Sequence, residues 1–264
     1  MQITSKDNQY IRLINELKKK KFRDKYGLFL AEGKRLISDF LSASFLPHVV
    51  LYAESFQDYA FLEECCRASD KIFSVPDQLF HKLTETEHDQ GILAAFPMLS
   101  PKPDSYSPEK SGLILILNDV RDPGNLGTIV RSAAAADVSA ILMEEGCVDL
   151  YNPKVIRSTM GTITKIPVFA GLRHEEIMGF IKKNDINVYL ADMRQSVSYE
   201  ELPFDRKIAV VFGNEGEGIS EVWRKESFPG VMIPMKNGVE SLNVAMAAGI
   251  ISFDYNRKIR NGLK

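Results

Sequence analysis

Six short, continuously apolar segments limit most strongly what this chain can fold into. They are residues 113–117, 140–143, 166–169, 188–191, 208–212 and 231–233. Parallel strands that are buried on both faces of a sheet have this composition, whereas half-exposed strands alternate apolar and polar residues. Helical patterns separate the segments, so the sequence predicts an α/β fold with a wound parallel sheet. In such sheets ligands bind beyond the carboxyl ends of the strands, so the following loops are the candidate sites.

The length of 264 residues and a proline-rich stretch predict two domains. Residues 97–111 contain Pro97, Pro101, Pro103 and Pro108, and such a segment favours extended structure over helix. We therefore predict a small α/β domain at 1–96, a linker at 97–111 and a larger α/β domain at 112–264. In the small domain, strands are expected at 27–31, 47–52, 71–75 and 91–96. Ser5 is expected to cap a helix that runs through Lys21, and a second helix is expected after Gly33.

Composition excludes several classes of protein. With 45% hydrophobic and 26% charged residues, the chain can bury a core and is not a disordered one. No apolar run reaches the roughly 18 residues of a membrane helix, and the first residues lack the apolar stretch of a signal peptide. Three cysteines, an odd number without metal-ligand spacing, indicate no disulfide framework and no metal site. A reducing, cytoplasmic location is therefore expected.

Charge is concentrated near the N-terminus. The whole chain carries a net charge of −2, but residues 1–35 hold ten basic and four acidic side chains, which leaves the remainder at −8. A basic patch of this kind can bind a phosphate backbone by counterion release. The candidate RNA-binding residues are Lys18, Lys19, Lys20, Lys21, Arg23, Lys34 and Arg35. The alternative is a solvated helix face with no ligand.

The loop after segment 113–117 is the first candidate site. Asp122-Pro-Gly predicts a turn, and Asn125 is expected to cap the helix that follows. A helix start offers free N–H groups that suit an anionic ligand. Gly127 and Arg131, four residues apart, fall on one helix face. The alternative is that Asn125 only caps the helix and that Arg131 is a surface residue.

The loop after segment 208–212 is the second candidate site. Gly213, Gly216 and Gly218 lie within six residues, but the spacing is neither that of a P-loop nor GxGxxG. An ATP or NAD site is therefore not predicted. The glycines allow positive φ and a close approach of the backbone to a flat ligand. An ordinary tight turn is the alternative.

The loop after segment 231–233 is the third candidate site. It leads into a helix that is expected to begin near Ser241, so that Ser241 and Asn243 can cap the helix or contact a ligand. Leu242, Ala245, Met246 and Gly249 give that helix a face of mostly small side chains. Such a face packs closely on another helix, in this chain or in a partner subunit.

Together the three loops resemble the three motifs of the SpoU (TrmH) family of RNA 2′-O-ribose methyltransferases, in the SPOUT superfamily. The matches are Asn125-x-Gly127-x-x-x-Arg131, Gly213-x-Glu215-Gly216-x-Gly218, and Ile233-Pro-Met235 with Ser241-Leu-Asn-Val244. The resemblance covers about residues 112–264. Lys236 and Asn237 stand before Gly238 where many members have one residue, which we expect to alter only a loop tip. Residues 26–33 and 89–95 are similar to the RNA-binding domain of rRNA-modifying members.

The resemblance implies transfer of a methyl group from S-adenosylmethionine to a ribose 2′-hydroxyl of RNA, with 23S rRNA favoured. It also implies a trefoil knot, which is an exception to the usual rule of unknotted chains, and a homodimer formed through the C-terminal domain. By position, the cofactor-binding residues are Phe212, Gly213, Asn214, Gly216, Gly218, Ile233, Met235, Leu242 and Asn243. The catalytic residues implied in the same way are Asn125, Arg131, Glu215, Ser241 and Asn243.

Residue chemistry limits the role of two residue types. An arginine, with a pKa above about 12, is a poor base, so we expect Arg131 to hold an RNA phosphate or to stabilise the developing alkoxide. No cysteine lies within the three motifs, which disfavours covalent methylation of a pyrimidine carbon. Two alternatives stay open: a tRNA substrate, and a non-catalytic RNA-binding or ribosome-assembly factor.

Overall fold

The computed structural model describes residues 2–86, 89–99, 101–109, 111–194 and 196–262. The chain forms two compact units. Unit 1 takes in Met1–Leu99 and Asp149–Thr164, and unit 2 takes in Ser100–Val148 and Lys165–Lys264, each as far as it is described. The described residues contain no helix that is long and apolar enough to cross a membrane.

Unit 1 is built on a four-stranded mixed sheet. Its strands are β1 (Leu28–Glu32), β2 (Val49–Ala53), β3 (Ile72–Val75) and β4 (Ile92–Pro97), in the order β1-β4-β2-β3. Strands β2 and β3 are parallel, whereas β4 is antiparallel to both β1 and β2. The helices are α1 (Gln9–Leu17), α2 (Lys20–Tyr26), α3 (Lys34–Ser42), α4 (Tyr59–Ala68) and α5 (Asp77–Phe80). The small α/β domain is therefore present with its four expected strands.

The N-terminal helix differs from its prediction. The cap is Asn8, whose side chain accepts from the N–H of Tyr10, and α1 ends at Leu17 rather than at Lys21. The chain then bends through Lys18 and Lys19 before α2 begins. The Ser5 side chain accepts from the N–H of Asp7 in the preceding turn. Short polar side chains compete equally for such caps, and only tertiary packing selects one of them.

The segment Asp149–Thr164 departs from the predicted division at residues 97–111. It carries α7 (Pro153–Thr159) and a 3₁₀ turn (Thr162–Thr164), and it packs within unit 1. The Tyr151 ring lies 4.9 Å from the ring of Phe29, and its hydroxyl donates to the carbonyl of Leu99 at 2.5 Å. Tyr151, Val155 and Ile156 are buried there. These side chains give the segment an apolar face, which explains why it joins a core distant in sequence.

Unit 2 is built on a parallel sheet of seven strands. They are β5 (Gly112–Leu117), β6 (Ala140–Glu144), β7 (Val168–Leu172), β8 (Asn187–Ala191), β9 (Ser196–Ser198), β10 (Lys207–Phe212) and β11 (Gly230–Met232). Their order is β7-β6-β5-β10-β8-β11-β9, and every pair is parallel. The predicted wound parallel α/β sheet is confirmed. Strand β9 was not predicted, because it is a three-residue edge strand of mostly polar residues.

Helices flank this sheet. They are α6 (Pro123–Ala135), α8 (His174–Asn184), α9 (Glu221–Lys225) and α10 (Val244–Asn261), with 3₁₀ turns at Pro103–Ser105 and Tyr199–Glu201. Part of the predicted linker belongs to unit 2, since the Tyr106 ring packs 5.4 Å from Phe169 and its hydroxyl donates to the carbonyl of Ser139. Ser100 and Lys110 of that linker lie outside the described residues. The trefoil knot stays a prediction.

Candidate active site

A cavity of about 900 Å³ in unit 2 brings the three predicted loops together. Arg121, Asp122, Pro123 and Asn125 line it from the loop after β5. The segment after β10 contributes Phe212, Gly213, Asn214, Glu215, Gly216, Gly218 and Ile219, and the start of α10 contributes Ser241, Leu242, Asn243, Val244 and Ala247. The volume lies in the range of about 300–1,000 Å³ that small-molecule sites occupy. The cavity is thus the candidate site that the sequence indicated.

A second cavity of about 140 Å³ adjoins the first, since both are lined by Ala191, Ser241, Leu242 and Ala247. Its other walls are mostly apolar and come from the ends of β8 and β11 and from α10. They are Asp192, Met193, Val231, Met232, Ile233, Met235, Glu240 and Ile251. Ile233 and Met235 therefore lie where a ligand in the larger cavity could extend an apolar group.

Three side chains, one from each loop, form a single hydrogen-bonded chain. The Asn125 amide nitrogen donates to the Glu215 carboxylate at 2.9 Å, and the Asn243 amide nitrogen donates to the Asn125 oxygen at 2.9 Å. The Asn243 oxygen in turn accepts from the N–H groups of Ala245 and Met246. In each of these hydrogen bonds the donor and the acceptor are defined, so the side chains fix the three loops relative to one another.

Glu215 also accepts from the backbone N–H groups of Arg121 (3.3 Å) and Asp122 (3.2 Å). Burial by itself would raise the pKa of Glu215. The hydrogen bonds from Asn125 and the backbone outweigh it, so that the pKa lies below its usual 4.5. Glu215 is therefore ionised at neutral pH and its oxygens are already engaged. Such a carboxylate anchors a loop rather than accepting a proton.

The glycine loop folds tightly on itself. Asn214 and Gly218 exchange two backbone hydrogen bonds, and a Cβ at Gly213 would lie 2.2 Å from the carbonyl carbon of Gly218. The Asn214 side chain accepts from the N–H groups of Gly216 and Glu217 and donates to the carbonyl of Asp119. The loop itself therefore requires glycine at 213, before any ligand is considered.

The helix that carries the first motif does not begin as predicted. Its cap is Asp122, whose carboxylate accepts from the Asn125 N–H at 2.8 Å, and Pro123 occupies the first helical position. The prediction that Asn125 is the cap is wrong. Because Asp122 has taken the capping role, the Asn125 side chain is free to face Glu215 and Asn243. Gly127 is buried within α6.

The helix of the third motif begins at Val244, with Asn243 as its cap. Ser241 and Leu242 precede it and line both cavities. The predicted small face is divided: Ala245 is buried, Met246 is exposed, and Gly249 lies against Ser132 of α6. Part of this face thus packs on a helix of the same chain, and part of it is open to solvent.

Arg131 lies apart from the other predicted catalytic residues. It is exposed on α6, and it lines neither cavity. Cys147, near the first loop, donates its thiol to the carbonyl of Leu117 at 3.2 Å, and burial raises the pKa of that thiol to about 11. A protonated, engaged thiol is a poor nucleophile, in agreement with the absence of cysteine from the motifs.

Three charged residues near the cavities were not predicted from the sequence. Arg121 lines the larger cavity and pairs with Asp119 at 2.8 Å, and Asp192 lines the smaller one. Arg224 of α9 pairs with Asp192 at 2.6 Å and donates to the carbonyl of Ile219 at 2.9 Å. Arg121 lies inside the first motif loop and was a visible candidate. Nothing in the sequence links Arg224 to Asp192, which is 32 residues away.

The predicted RNA-binding residues of unit 1 fall into two groups. Lys19, Lys20, Lys21, Lys34 and Arg35 are exposed, and Lys18 is half-buried. Arg23 is only 3% exposed; it donates to the carbonyls of Leu17 and Lys18 and pairs with Asp149. The structure contradicts an RNA contact for Arg23, because a guanidinium whose donors are all directed inward is not available to a phosphate.

The described residues contain no group of three or more His, Cys, Asp or Glu side chains placed to hold a metal ion. The polar groups that face the larger cavity are instead backbone groups and the amides, carboxylates and guanidinium named above.

Comparison with known proteins gives two family matches. Residues 112–253 match the model of the SpoU rRNA Methylase family, and residues 8–94 match the model of the MRM3-like substrate binding domain. The chain is 34% identical to the mitochondrial rRNA methyltransferase 3A of Danio rerio, over 96% of this chain and 69% of that protein. It is 31% identical to the 23S rRNA (guanosine(2553)-2′-O)-methyltransferase RlmP of Bacillus subtilis, over 96% and 98%.

Solved structures agree with these matches. An AdoMet-bound rRNA methyltransferase from Sinorhizobium meliloti superposes with a TM-score of 0.88 at 26% identity, covering 98% of both chains. An RNA 2′-O ribose methyltransferase superposes with a TM-score of 0.82 at 29% identity, covering 98% of this chain and all of the other. Both units of the chain are therefore found together in known structures.

Proposed function

The chain belongs to the SpoU rRNA methylase family, and we propose that it transfers a methyl group from S-adenosylmethionine to a ribose 2′-hydroxyl of large-subunit rRNA. The observation that carries the proposal is the hydrogen-bonded chain Glu215–Asn125–Asn243, which joins all three motif loops at one cavity. The rRNA methyltransferases that resemble the chain over nearly its whole length favour rRNA over tRNA as the substrate.

The residues present fit S-adenosylmethionine. The larger cavity offers polar backbone groups along 213–218, and the adjoining smaller one is lined by Ile233, Leu242 and Met235. A molecule with a flat purine, a ribose and charged groups needs this combination of apolar walls and hydrogen-bonding backbone. The bound molecule supplies a methyl group on a positively charged sulfur, an electrophile that needs no metal ion. The predicted cofactor residues Phe212, Gly213, Asn214, Gly216, Gly218 and Asn243 line the larger cavity.

The chain's own residues act by positioning. Asn125 and Asn243 hold each other and Glu215, so their amide groups keep fixed orientations at the cavity wall. Ser241 places a hydroxyl at the boundary of the two cavities. Because the carboxylate of Glu215 is fully engaged, we assign the 2′-hydroxyl proton to solvent water or to an RNA phosphate.

Arg131 is assigned the stabilisation of negative charge on the RNA. Since it lines neither cavity of its own chain, we further propose a homodimer formed through unit 2. The exposed apolar side chains Met246 and Phe253 are seven residues apart and so lie on one side of α10, and Leu242 is exposed just before the helix. These apolar groups support such an interface. Arg131 adjoins Ser132, the residue of α6 that lies against Gly249. Met246→Asp is expected to shift sedimentation toward the monomer and to lower activity.

The test is methyl transfer by the purified full chain to unmodified RNA. Protein, labelled S-adenosylmethionine and separated rRNA and tRNA are incubated, and the RNA is digested to nucleosides. Label in a 2′-O-methylnucleoside from large-subunit rRNA is expected. Asn125→Ala is expected to lose activity, while Asn152→Ala, which removes a helix cap in unit 1, serves as a matched control.

The alternatives give distinct results. Label that appears in tRNA alone would overturn the rRNA assignment. Absence of both label and S-adenosylmethionine binding would support the assembly-factor alternative. The three cysteines lack disulfide partners, which supports a reducing cytoplasmic location for the reaction.

A further inference from the structure

One face of α2 combines two aromatic side chains, the half-buried Phe22 and the exposed Tyr26, with basic ones, and the proposed function leaves this combination unexplained. Lys21, Phe22, Lys25 and Tyr26 are spaced i, i+1, i+4 and i+5, so they share one side of this helix. The opposite side carries Arg23, which is turned into unit 1. A surface helix normally places its aromatic residues inward, and here the inward position is taken by a buried arginine.

The two rings form a stacked pair. The ring centroids of Phe22 and Tyr26 are 6.2 Å apart, and their planes differ by 12°. Tyr26 is 38% exposed, and its hydroxyl donates to Glu16 of α1 at 2.7 Å. That hydrogen bond holds the Tyr26 ring in a fixed orientation. The pair is thus a flat apolar surface that is ordered before any ligand arrives.

Two lysines lie over the rings, each in a cation–π contact. The Lys21 ammonium is 4.8 Å from the centroid of Phe22, and the Lys25 ammonium is 5.0 Å from that of Tyr26. Over the described parts of the chain, neither lysine forms an ion pair, whereas the neighbouring Lys20 is bound to Asp24 at 2.8 Å. The rings are the contacts that hold these two ammonium groups, so each lysine can turn to a phosphate when a base takes its place on the ring.

We propose that Phe22, Tyr26, Lys21 and Lys25 form a stacking platform that takes an unpaired base of the RNA, with the two lysines on the adjacent phosphates. This rests on the proposed function, because it names how the same RNA substrate is held. Unpaired bases stack on aromatic side chains while the backbone lies along basic ones, and every base has a face to offer. The platform selects single-stranded RNA over a helix, since bases stacked within a duplex do not present a free face.

The experiment measures binding of the full chain to two oligonucleotides of equal length and charge, one of uridines and one of abasic ribose phosphates. The wild type is expected to bind the uridine strand more tightly. Tyr26→Leu is expected to weaken that binding by about five-fold or more and to leave abasic binding unchanged. Tyr59→Leu, at an exposed tyrosine of α4 in the same unit, is the matched control and is expected to change neither affinity. Tyr26→Phe retains the ring and is expected to retain the preference for uridine.

The salt dependence separates the two kinds of residue. Lys21→Gln and Lys25→Gln are each expected to reduce the slope of log affinity against log salt by about 0.7, whereas Tyr26→Leu leaves the slope as it is. The platform is refuted if wild type binds the two strands equally, or if Tyr26→Leu and Tyr59→Leu behave alike. A Tyr26→Leu protein that melts at the wild-type temperature excludes misfolding as the cause.

The outcome is independent of methyl transfer. If wild type methylates no RNA but prefers the uridine strand through Tyr26, the proposed function fails and the platform stands. If methyl transfer to rRNA proceeds and Tyr26→Leu alters neither its KM nor oligonucleotide binding, the platform fails and the function stands.

Discussion

Arg224 contacts residues that line both cavities. Its replacement by methionine should therefore lower the stability of unit 2 and the affinity for S-adenosylmethionine. The guanidinium pairs with Asp192 of the smaller cavity and donates to the carbonyl of Ile219 in the larger one. Methionine preserves the length and the apolar stem of the side chain and removes every donor. Within the described residues, the carboxylate of Asp192 then keeps the N–H of Arg194, at 3.0 Å, as its one hydrogen-bond donor.

The expected loss of stability follows from burial. The Arg224 side chain is 20% exposed and that of Asp192 is 16% exposed, so the pair is neither fully buried nor at the surface. Exposed ion pairs contribute up to about 1 kcal/mol, and breaking a buried one costs about 3–5 kcal/mol. An intermediate loss of about 2 kcal/mol corresponds to a fall in melting temperature of roughly 4–8 °C for a unit of this size.

The assay is thermal unfolding of Arg224→Met, Asp192→Asn and the double variant, together with S-adenosylmethionine affinity by calorimetry. A coupling energy of about 1 kcal/mol or more between the two sites is expected, since removing both partners leaves no unpaired buried charge. Arg173→Met is the control, because Arg173, at the N-terminal cap of α8, pairs with Glu176 while its side chain is 62% exposed. The reasoning is refuted if Arg224→Met lowers the melting temperature no more than Arg173→Met does. It is also refuted if the effects of Arg224→Met and Asp192→Asn on stability are additive in the double variant.

Three further substitutions test the site and unit 1. Gly213→Ala is expected to abolish S-adenosylmethionine binding, because its Cβ would clash with backbone at 2.2 Å. Gly179→Ala, at an exposed glycine of α8 where the added carbon meets no atom within 4 Å, should bind normally in the same titration. Glu215→Gln should destabilise the protein most at neutral pH. Because folding lowers the pKa of Glu215, its carboxylate stabilises the fold above about pH 4.5, and this effect is lost as the pH falls through the pKa of the folded state. The free energies of unfolding of the wild type and the variant in urea should therefore converge in acid. Arg23→Met is expected to destabilise unit 1 by about 3 kcal/mol in urea, since it leaves Asp149 and two carbonyls unpaired, while Lys21→Met should change stability by less than about 0.5 kcal/mol.

The parallel sheet and the three motif loops were predictable because each rests on a local signal. Apolar segments of three to five residues mark strands that are buried on both faces, and the loops that follow them must meet at one edge of the sheet. The strand β10, residues Lys207–Phe212, begins one residue before its predicted start and ends at the predicted residue. The catalytic and cofactor-binding residues that the resemblance named in these loops line the two cavities, with the exception of Arg131.

Other features depended on contacts between distant residues. The hydrogen bonds of the Asn125 side chain depend on Glu215 and Asn243, which are 90 and 118 residues from Asn125. The burial of Arg23 depends on Asp149, 126 residues away. A run of lysines with one arginine predicts a uniform basic patch, because the sequence alone does not show which of these side chains is buried in an ion pair.

The return of Asp149–Thr164 to unit 1 has a consequence for how the protein is made. The first 99 residues leave the ribosome without Asp149, which pairs with Arg23, and without Tyr151, which covers Phe29. The core of unit 1 is therefore incomplete when its own sheet has been synthesised, and it is completed about 65 residues later, when β5 and β6 of the second sheet have also been made. For the same reason, a fragment that ends near residue 99 should leave part of the core of unit 1 exposed to solvent. A fragment meant to contain unit 1 should instead extend to about residue 164.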